Sequence, residues 1–379
     1  MSGLKATPGA MRIETGPQTA VLGVPEQVRE RRWFSALVPE SDAMLHFDML
    51  RFVAATGVVW HHSHEFLVPA GGRAALLERT QALALFVDLF FVISGYVIAF
   101  VYAGRLRSGT DYARFLQRRV GRLVPLHWLT LTVSFILWTA IARGGYPANH
   151  MPDRSPACVA NAALLLNGLF TCGNGNVLNG ITWSISAEMA LYVLFPLLLA
   201  VWRARAILPL ALVAMGAALL ASRNGRWDEV APLLRALPSF AFGMVLFRWR
   251  DRLPVVRSSW PVLVLTALLL ASMMTGVSQY VVLAEVYMLA VLGVATDQSR
   301  TAVPLVRLGA GLGKLTYGIY MWHILFTIVL LNAIGDKMLE LRGATMLALI
   351  VLCYLLVVMW SVVSLRWFET PVRRWIDRL

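Results

Sequence analysis

The chain has 379 residues, 58% of them hydrophobic and only 15% charged, where a soluble domain averages about 25% charged. Apolar runs of helical span length recur along almost all of it, so it reads as a polytopic helical membrane protein. No short alternating segments suggest a membrane β-barrel. The net charge of +13 suits arginines gathered in cytoplasmic loops and gives no reason to invoke nucleic acid.

Residues 1–44 hold Gly, Pro, Thr and mixed charge without sustained periodicity, which predicts a disordered cytoplasmic N-terminal tail. Residues 45–379 form one membrane domain. The expected fold is all-α, a polytopic bundle of about ten transmembrane helices at 46–68, 83–104, 123–142, 183–202, 206–222, 230–247, 258–275, 279–296, 314–334 and 343–365. Residues 157–170 are short and polar at both ends, and read as a re-entrant or interfacial helix. If they cross, the count becomes eleven. With both termini cytoplasmic, Arg105, Arg107, Arg114, Arg118, Arg119 and Arg122 fall in one inner connection, and the later arginine clusters fall inside as well. The outer loops, including Arg223, Arg226, Asp228 and Glu229, are nearly balanced. Cys158 and Cys172 flank 157–170 on the expected outer face, either paired or free. Cys353 lies in the last span, and no Cys/His spacing suggests a metal site.

The first span carries the most polar groups. It reads HFDMLRFVAATGVVWHHSHEFLVP from His46 to Pro69 and contains Asp48, Arg51, His61, His62, His64 and Glu65. Charges inside a membrane are costly and are functional by default. On a helix His62 lies within about 20° of Arg51 and roughly 16 Å further along, whereas His61 is about 80° away and His64 roughly opposite. One face thus offers a fixed cation near one end and a titratable imidazole near the other.

Further constellations break the apolar pattern in later spans. Asp88 in FVDLFFVISGYVIAF needs a partner, and Ser94 with Gly95 admits the close approach of a helix or ligand. Arg119 and Arg122, one turn apart before Pro125, suit bidentate capture of phosphates or ordinary anchoring. NGITWSISAEMALY brings Trp183, Ser184 and Glu188 to the expected outer entrance of the fourth span, where Glu188 would bind sugar hydroxyls or balance an arginine. KLTYGIYMWHILF adds Tyr317, Tyr320 and His323, residue types that are more often packing than catalysis.

Taken in order, these motifs resemble the integral-membrane acyltransferase-3 family over about 44–376. An arginine, ten residues and a histidine fall on Arg51 and His62. V-D-x-F-F-V-x-S-G covers Val87 to Gly95, and R-x-x-R-x-x-P covers Arg119, Arg122 and Pro125. W-S-x-x-x-E covers Trp183 to Glu188, Y-x-x-Y-x-x-H covers Tyr317 to His323, and E-x-P covers Glu369 and Pro371. Phe86, where the family often has glycine, and Met189, where a second glutamate is common, depart from the pattern.

The resemblance implies an O-acyltransferase of the bacterial inner membrane, in the form without a fused C-terminal esterase-like domain. It would act alone or with a separate extracytoplasmic transferase. No cofactor would be permanently bound. Acyl-CoA, most often acetyl-CoA in this family, would be the co-substrate, held by Arg119, Arg122 and Arg51. His62 and Arg51 would be the catalytic residues, with His62 the general base or transient acyl acceptor. The acceptor would be a hydroxyl of a cell-surface glycan or lipid-linked saccharide. Asp88, Ser94, Gly95, Trp183, Ser184, Glu188, Tyr317, Tyr320 and His323 would bind substrate or support the site. Composition alone suits a transporter or flippase of a lipid-linked saccharide equally well, although the two halves of the chain show no clear repeat.

Overall fold

The computed structural model describes residues 44–145, 151–222, 227 and 230–378. The expected tail, apart from Met44, and the outer-loop residues Arg223, Arg226, Asp228 and Glu229 lie outside the described residues.

Every regular element among the described residues is helical. Besides short 3-10 turns and π-helical stretches at Thr327–Met338 and Leu365–Glu369, the α-helices in chain order are α1 (Leu45–His61), α2 (Ala70–Thr80), α3 (Phe86–Tyr102), α4 (Gly109–Arg143), α5 (Pro156–Ala163), α6 (Thr182–Val193), α7 (Phe195–Arg203) and α8 (Ile207–Ala221). Then come α9 (Pro232–Trp249), α10 (Trp260–Met274), α11 (Gln279–Asp297), α12 (Pro304–Leu312), α13 (Thr316–Phe326), α14 (Gly343–Ser364) and α15 (Thr370–Ile376).

This is a multi-pass helical membrane protein, but the expectation of ten or eleven spans is overturned. Among the described residues five stretches are long and apolar enough to cross a bilayer: Ala70–Tyr102, Gly109–Arg143, Gln279–Asp297, Pro304–Met338 and Gly343–Ile376. Counting α6 and α7 as one span bent by 55° makes six. The physical reason is helix continuity, which apolar runs do not reveal. α8 and α10 have 15 residues each. They therefore reach only about 22 Å against a hydrocarbon core near 30 Å. α1 stops after 17 residues, and α9 carries Arg235 and Arg248 within its 18. α5 has 8 residues, so no eleventh span arises there.

Several boundaries also move. α4 begins at Gly109, not near 123, because Ser108 caps it: its hydroxyl accepts from the Asp111 amide while the Asp111 carboxylate accepts from the Ser108 amide. Arg114, Arg118, Arg119 and Arg122 therefore ride on a helix and not in a loop. Cys158 and Cys172 form a disulfide with Cα atoms 5.5 Å apart, closing the segment after α5. Cys353 is a buried free thiol.

Two devices fix the frame around the site. First, α3 and α9 meet backbone to backbone. Gly95 faces the Phe240 carbonyl and Gly243 faces the Val92 carbonyl, and a methyl group at either glycine would collide with it. Second, Asp297 at the end of α11 pins the start of α1. Its Oδ1 accepts the His46 amide at 2.9 Å and meets the His46 ring Nδ1 at 2.7 Å, and its Oδ2 accepts the Phe47 amide at 3.3 Å. The other ring nitrogen of His46 pairs with Ser259 at 2.9 Å. A carboxylate at a helix N-terminus also complements the helix dipole.

Candidate functional site

A cavity open at one side lies between α1, α3, α4, α6 and α13. Arg51, Arg119 and Arg122 line it together with Ser94, Ser184, Glu188, Tyr192, Tyr317 and Tyr320. Residues far apart in sequence thus share one space, and the three arginines are committed to different degrees. Arg51 donates to Asp48 at 2.9 Å, one helical turn away. Arg119 donates to the Tyr102 hydroxyl at 3.2 Å and lies over the rings of Tyr102, Phe115 and Tyr192. Arg122 is exposed on the cavity it lines. Its guanidinium takes no hydrogen bond or ion pair with a described residue.

Glu188 balances part of this charge. Ser94 donates to its Oε1 at 2.7 Å, and the Tyr192 hydroxyl donates to the same oxygen. The sequence reading sets Glu188 near the outer entrance of its span, to bind sugar hydroxyls or balance an arginine. The structure brings it into the arginine cavity, because it lies more than one turn along α6 from Trp183. Ser184 and Tyr320 close another wall, their hydroxyls 2.6 Å apart. Tyr317 donates to the Leu123 carbonyl and so ties α13 to α4.

Asp88 belongs to a different cluster. Arg235 donates to its Oδ2 through Nε at 3.0 Å and through Nη2 at 2.5 Å, while Trp227 Nε1 donates to its Oδ1 at 2.9 Å. Arg235 also reaches the Ala84 carbonyl and lies over the Trp183 ring, 5.2 Å from its centroid. The aspartate and arginine are 0% and 2% exposed, so each is neutralised by the other and shut off from solvent. Asp88 holds the fold, and Trp183 is its lid. Gly95 is likewise taken by α9 and not by a ligand.

His62 caps the end of α1, with its amide on the Val58 carbonyl at 3.2 Å. It therefore keeps the helical offset from Arg51 that the sequence predicts. Its ring lies 5.4 Å from that of His323, centroid to centroid. Tyr320, in the cavity wall, is 5.9 Å from His323. The arginine cavity and the histidine pair are thus joined along α13. His61 packs edge-on against His62 at 4.8 Å, and His64 is buried with its ring nitrogens at the Trp60 carbonyl and the Thr80 hydroxyl.

The sequence reading misses Arg235 and Trp227, which complete the Asp88 cluster. Arg235 stood inside a predicted span, so the cost of a charge there was the available signal. Tyr102, which steadies Arg119, carries no comparable mark. Among the described residues no group of three or more His, Cys, Asp or Glu could hold a metal ion.

Comparison with known proteins agrees with these motifs. A profile described as an acyltransferase domain matches residues 45–367. Acyltransferase MdmB of Streptomyces mycarofaciens is 28% identical over 151 residues, covering 39% of this chain and 37% of that protein. Protein 2 in the picA locus of Rhizobium radiobacter is 35% identical over 101 residues, 26% of this chain and 48% of that one. Exopolysaccharide production protein ExoZ of Rhizobium meliloti strain 1021 is 27% identical over 265 residues, 62% of this chain and 74% of that one. The chain thus spans less than half the length of MdmB and of the picA-locus protein. No solved structure matches it. With the profile running over most of the membrane domain, the chain belongs to the acyltransferase-3 family.

Proposed function

We propose that this protein moves an acyl group from cytoplasmic acyl-CoA to a hydroxyl of a cell-surface or exported glycan. One observation carries the reading: Arg122, which makes no hydrogen bond or ion pair with a described residue, lines a cavity with Arg51 and Arg119, and a row of packed rings, Tyr320 and His323, runs from that cavity's wall to His62. An arginine without a partner inside a bundle calls for an anion, and guanidinium groups suit phosphates. The donor's phosphates lie at the arginines, and its narrow thioester arm points along α13 toward the histidines. The positive-inside distribution supports a cytoplasmic mouth for the cavity and cytoplasmic termini. The relative named for exopolysaccharide production supports a glycan acceptor. Acetyl is the acyl group the family resemblance favours.

The chemistry converts thioester and alcohol into ester and thiol. His62 takes the hydroxyl proton as the oxygen attacks the thioester carbon, the carbon–sulfur bond breaks, and the proton ends on the departing thiolate. Transient acylation of His62 is the competing route, and it would give a burst of thiol release before acceptor is added.

The test is acyl-CoA turnover by purified protein with and without a polysaccharide acceptor, comparing wild type with His62→Ala and Arg51→Ala. The reading expects acceptor-dependent thiol release in wild type and none in His62→Ala. Turnover of His62→Ala at wild-type rate would remove His62 from the chemistry. No turnover by folded wild type with any acyl-CoA would bring the transporter reading forward.

A further inference from the structure

His62 meets no acidic side chain by hydrogen bond among the described residues, yet a general-base histidine ordinarily has a partner that fixes its tautomer. The group beside it is His323, wholly buried at 0% exposure. Nδ1 of His323 lies 2.6 Å from the Tyr320 carbonyl and 3.2 Å from that of Ile319, both in the preceding turn of α13. Carbonyls only accept, so Nδ1 carries the hydrogen and Nε2 holds the lone pair. That Nε2 is buried and has no hydrogen-bond partner among the described residues. An orphaned acceptor in a low-dielectric bundle is costly, and such exceptions ask for a specific explanation.

The neighbouring His62 ring supplies one. The rings are inclined by 32° with centroids 5.4 Å apart. Turned edge to edge, they would leave roughly 3 Å between facing nitrogens, which is hydrogen-bond range. The ring torsion of histidine is broad enough to allow that turn. The two differ in access, since His62 is partly exposed and His323 is sealed. Only His62 can meet a hydroxyl, and His323 stands behind it.

We propose that His323 is a positioning residue for His62. Its Nε2 lone pair accepts the His62 ring N–H, which leaves the lone pair of His62 facing the acceptor hydroxyl. When His62 takes the hydroxyl proton, the resulting imidazolium keeps that hydrogen bond, and the proton then passes from His62 to the thiolate. His323 gains and loses no proton in the cycle. Its backbone-locked tautomer does the work that a carboxylate does in a Ser-His-Asp triad, without placing a charge in the membrane. The proposal rests on His62 being the base of the acyl transfer.

The test uses full-length protein in nanodiscs as wild type, His323→Phe and His323→Gln, with melting curves to establish folding. Ring ¹⁵N spectra report the His62 tautomer, assigned by the signals lost in His62→Ala. His323→Phe is expected to lower kcat by about 10²- to 10⁴-fold, the usual range for general-base assistance. KM for acyl-CoA stays unchanged, and the His62 ring becomes a mixture of tautomers. His323→Gln, whose amide oxygen accepts, is expected to restore a single tautomer and at least tenfold of the lost kcat. An unchanged His62 tautomer in folded His323→Phe would overturn the proposal even if activity fell, and so would a glutamine variant no better than phenylalanine. Wild type without acyl-CoA turnover would defeat the enzymatic reading instead, and the tautomer comparison would still decide this one.

Discussion

Two clusters of charge lie within this bundle and differ in one respect. Around Asp88 the charges close on each other: Arg235 forks onto one carboxylate oxygen, Trp227 takes the other, and both charged groups are sealed from solvent. Around the cavity the charges do not close. Three arginines share the space with Glu188, whose Oε1 is already taken by Ser94 and Tyr192, and Arg122 makes no hydrogen bond or ion pair among the described residues. Both clusters put arginine and carboxylate inside a membrane domain, so residue type does not separate structure from function. Saturation does. A charge whose bonds are all made within the chain supports the fold, and one held open in a cavity awaits a ligand.

Substitutions can break this contrast at either end. The largest effect is expected for His62→Ala, which should abolish acyl transfer, a fall of about 10³-fold or more, while the melting temperature and donor binding stay near wild type. Residual transfer in a steady-state assay within tenfold of wild type would contradict that role. Asp88→Ala should do the reverse. It leaves Arg235 buried and unpaired, a loss of about 3–5 kcal/mol, read as lowered thermal stability with KM for acyl-CoA unchanged in whatever protein folds.

Smaller effects sharpen the same contrast. Removing the disulfide by Cys158→Ser should cost roughly 3 kcal/mol, as expected for a loop of this length, and leave kcat intact. A fall in melting temperature under reducing conditions, absent in the serine variant, would register it. Gly95→Ala forces a methyl group against the Phe240 carbonyl. Its expected loss is about 1–3 kcal/mol, visible as earlier unfolding in denaturant. Arg51→Lys keeps the charge but loses the planar fork. A rise in KM for acyl-CoA of about tenfold, or 1.4 kcal/mol, is expected with little change in kcat.

Much of the site could be read from the chain because the polar residues that build it are expensive within apolar runs. Arg51 and His62 declared themselves by helical spacing, and α1 preserves that spacing up to its cap at His62. What the sequence did not carry was three-dimensional company. Glu188 suited sugar hydroxyls or an arginine equally until the arrangement of α6 beside α4 brought it to the arginines. Asp88 looked equally suited to a ligand until Arg235, nearly 150 positions away (147 by separation), saturated it. The span count failed for a related reason. Hydropathy reports how apolar a stretch is, but a bend such as the 55° break between α6 and α7, or an early end such as that of α1, depends on packing that a window cannot see.

The central claim is that the open cavity is a donor site and the closed cluster is not. The most direct measurement is titration of purified, folded protein with acetyl-CoA by calorimetry, using wild type, Arg122→Ala and Asp88→Asn. The account predicts saturable binding by wild type, at least tenfold weaker binding by Arg122→Ala, and wild-type affinity in folded Asp88→Asn. Equal affinity in wild type and Arg122→Ala, or no binding at all, would contradict it.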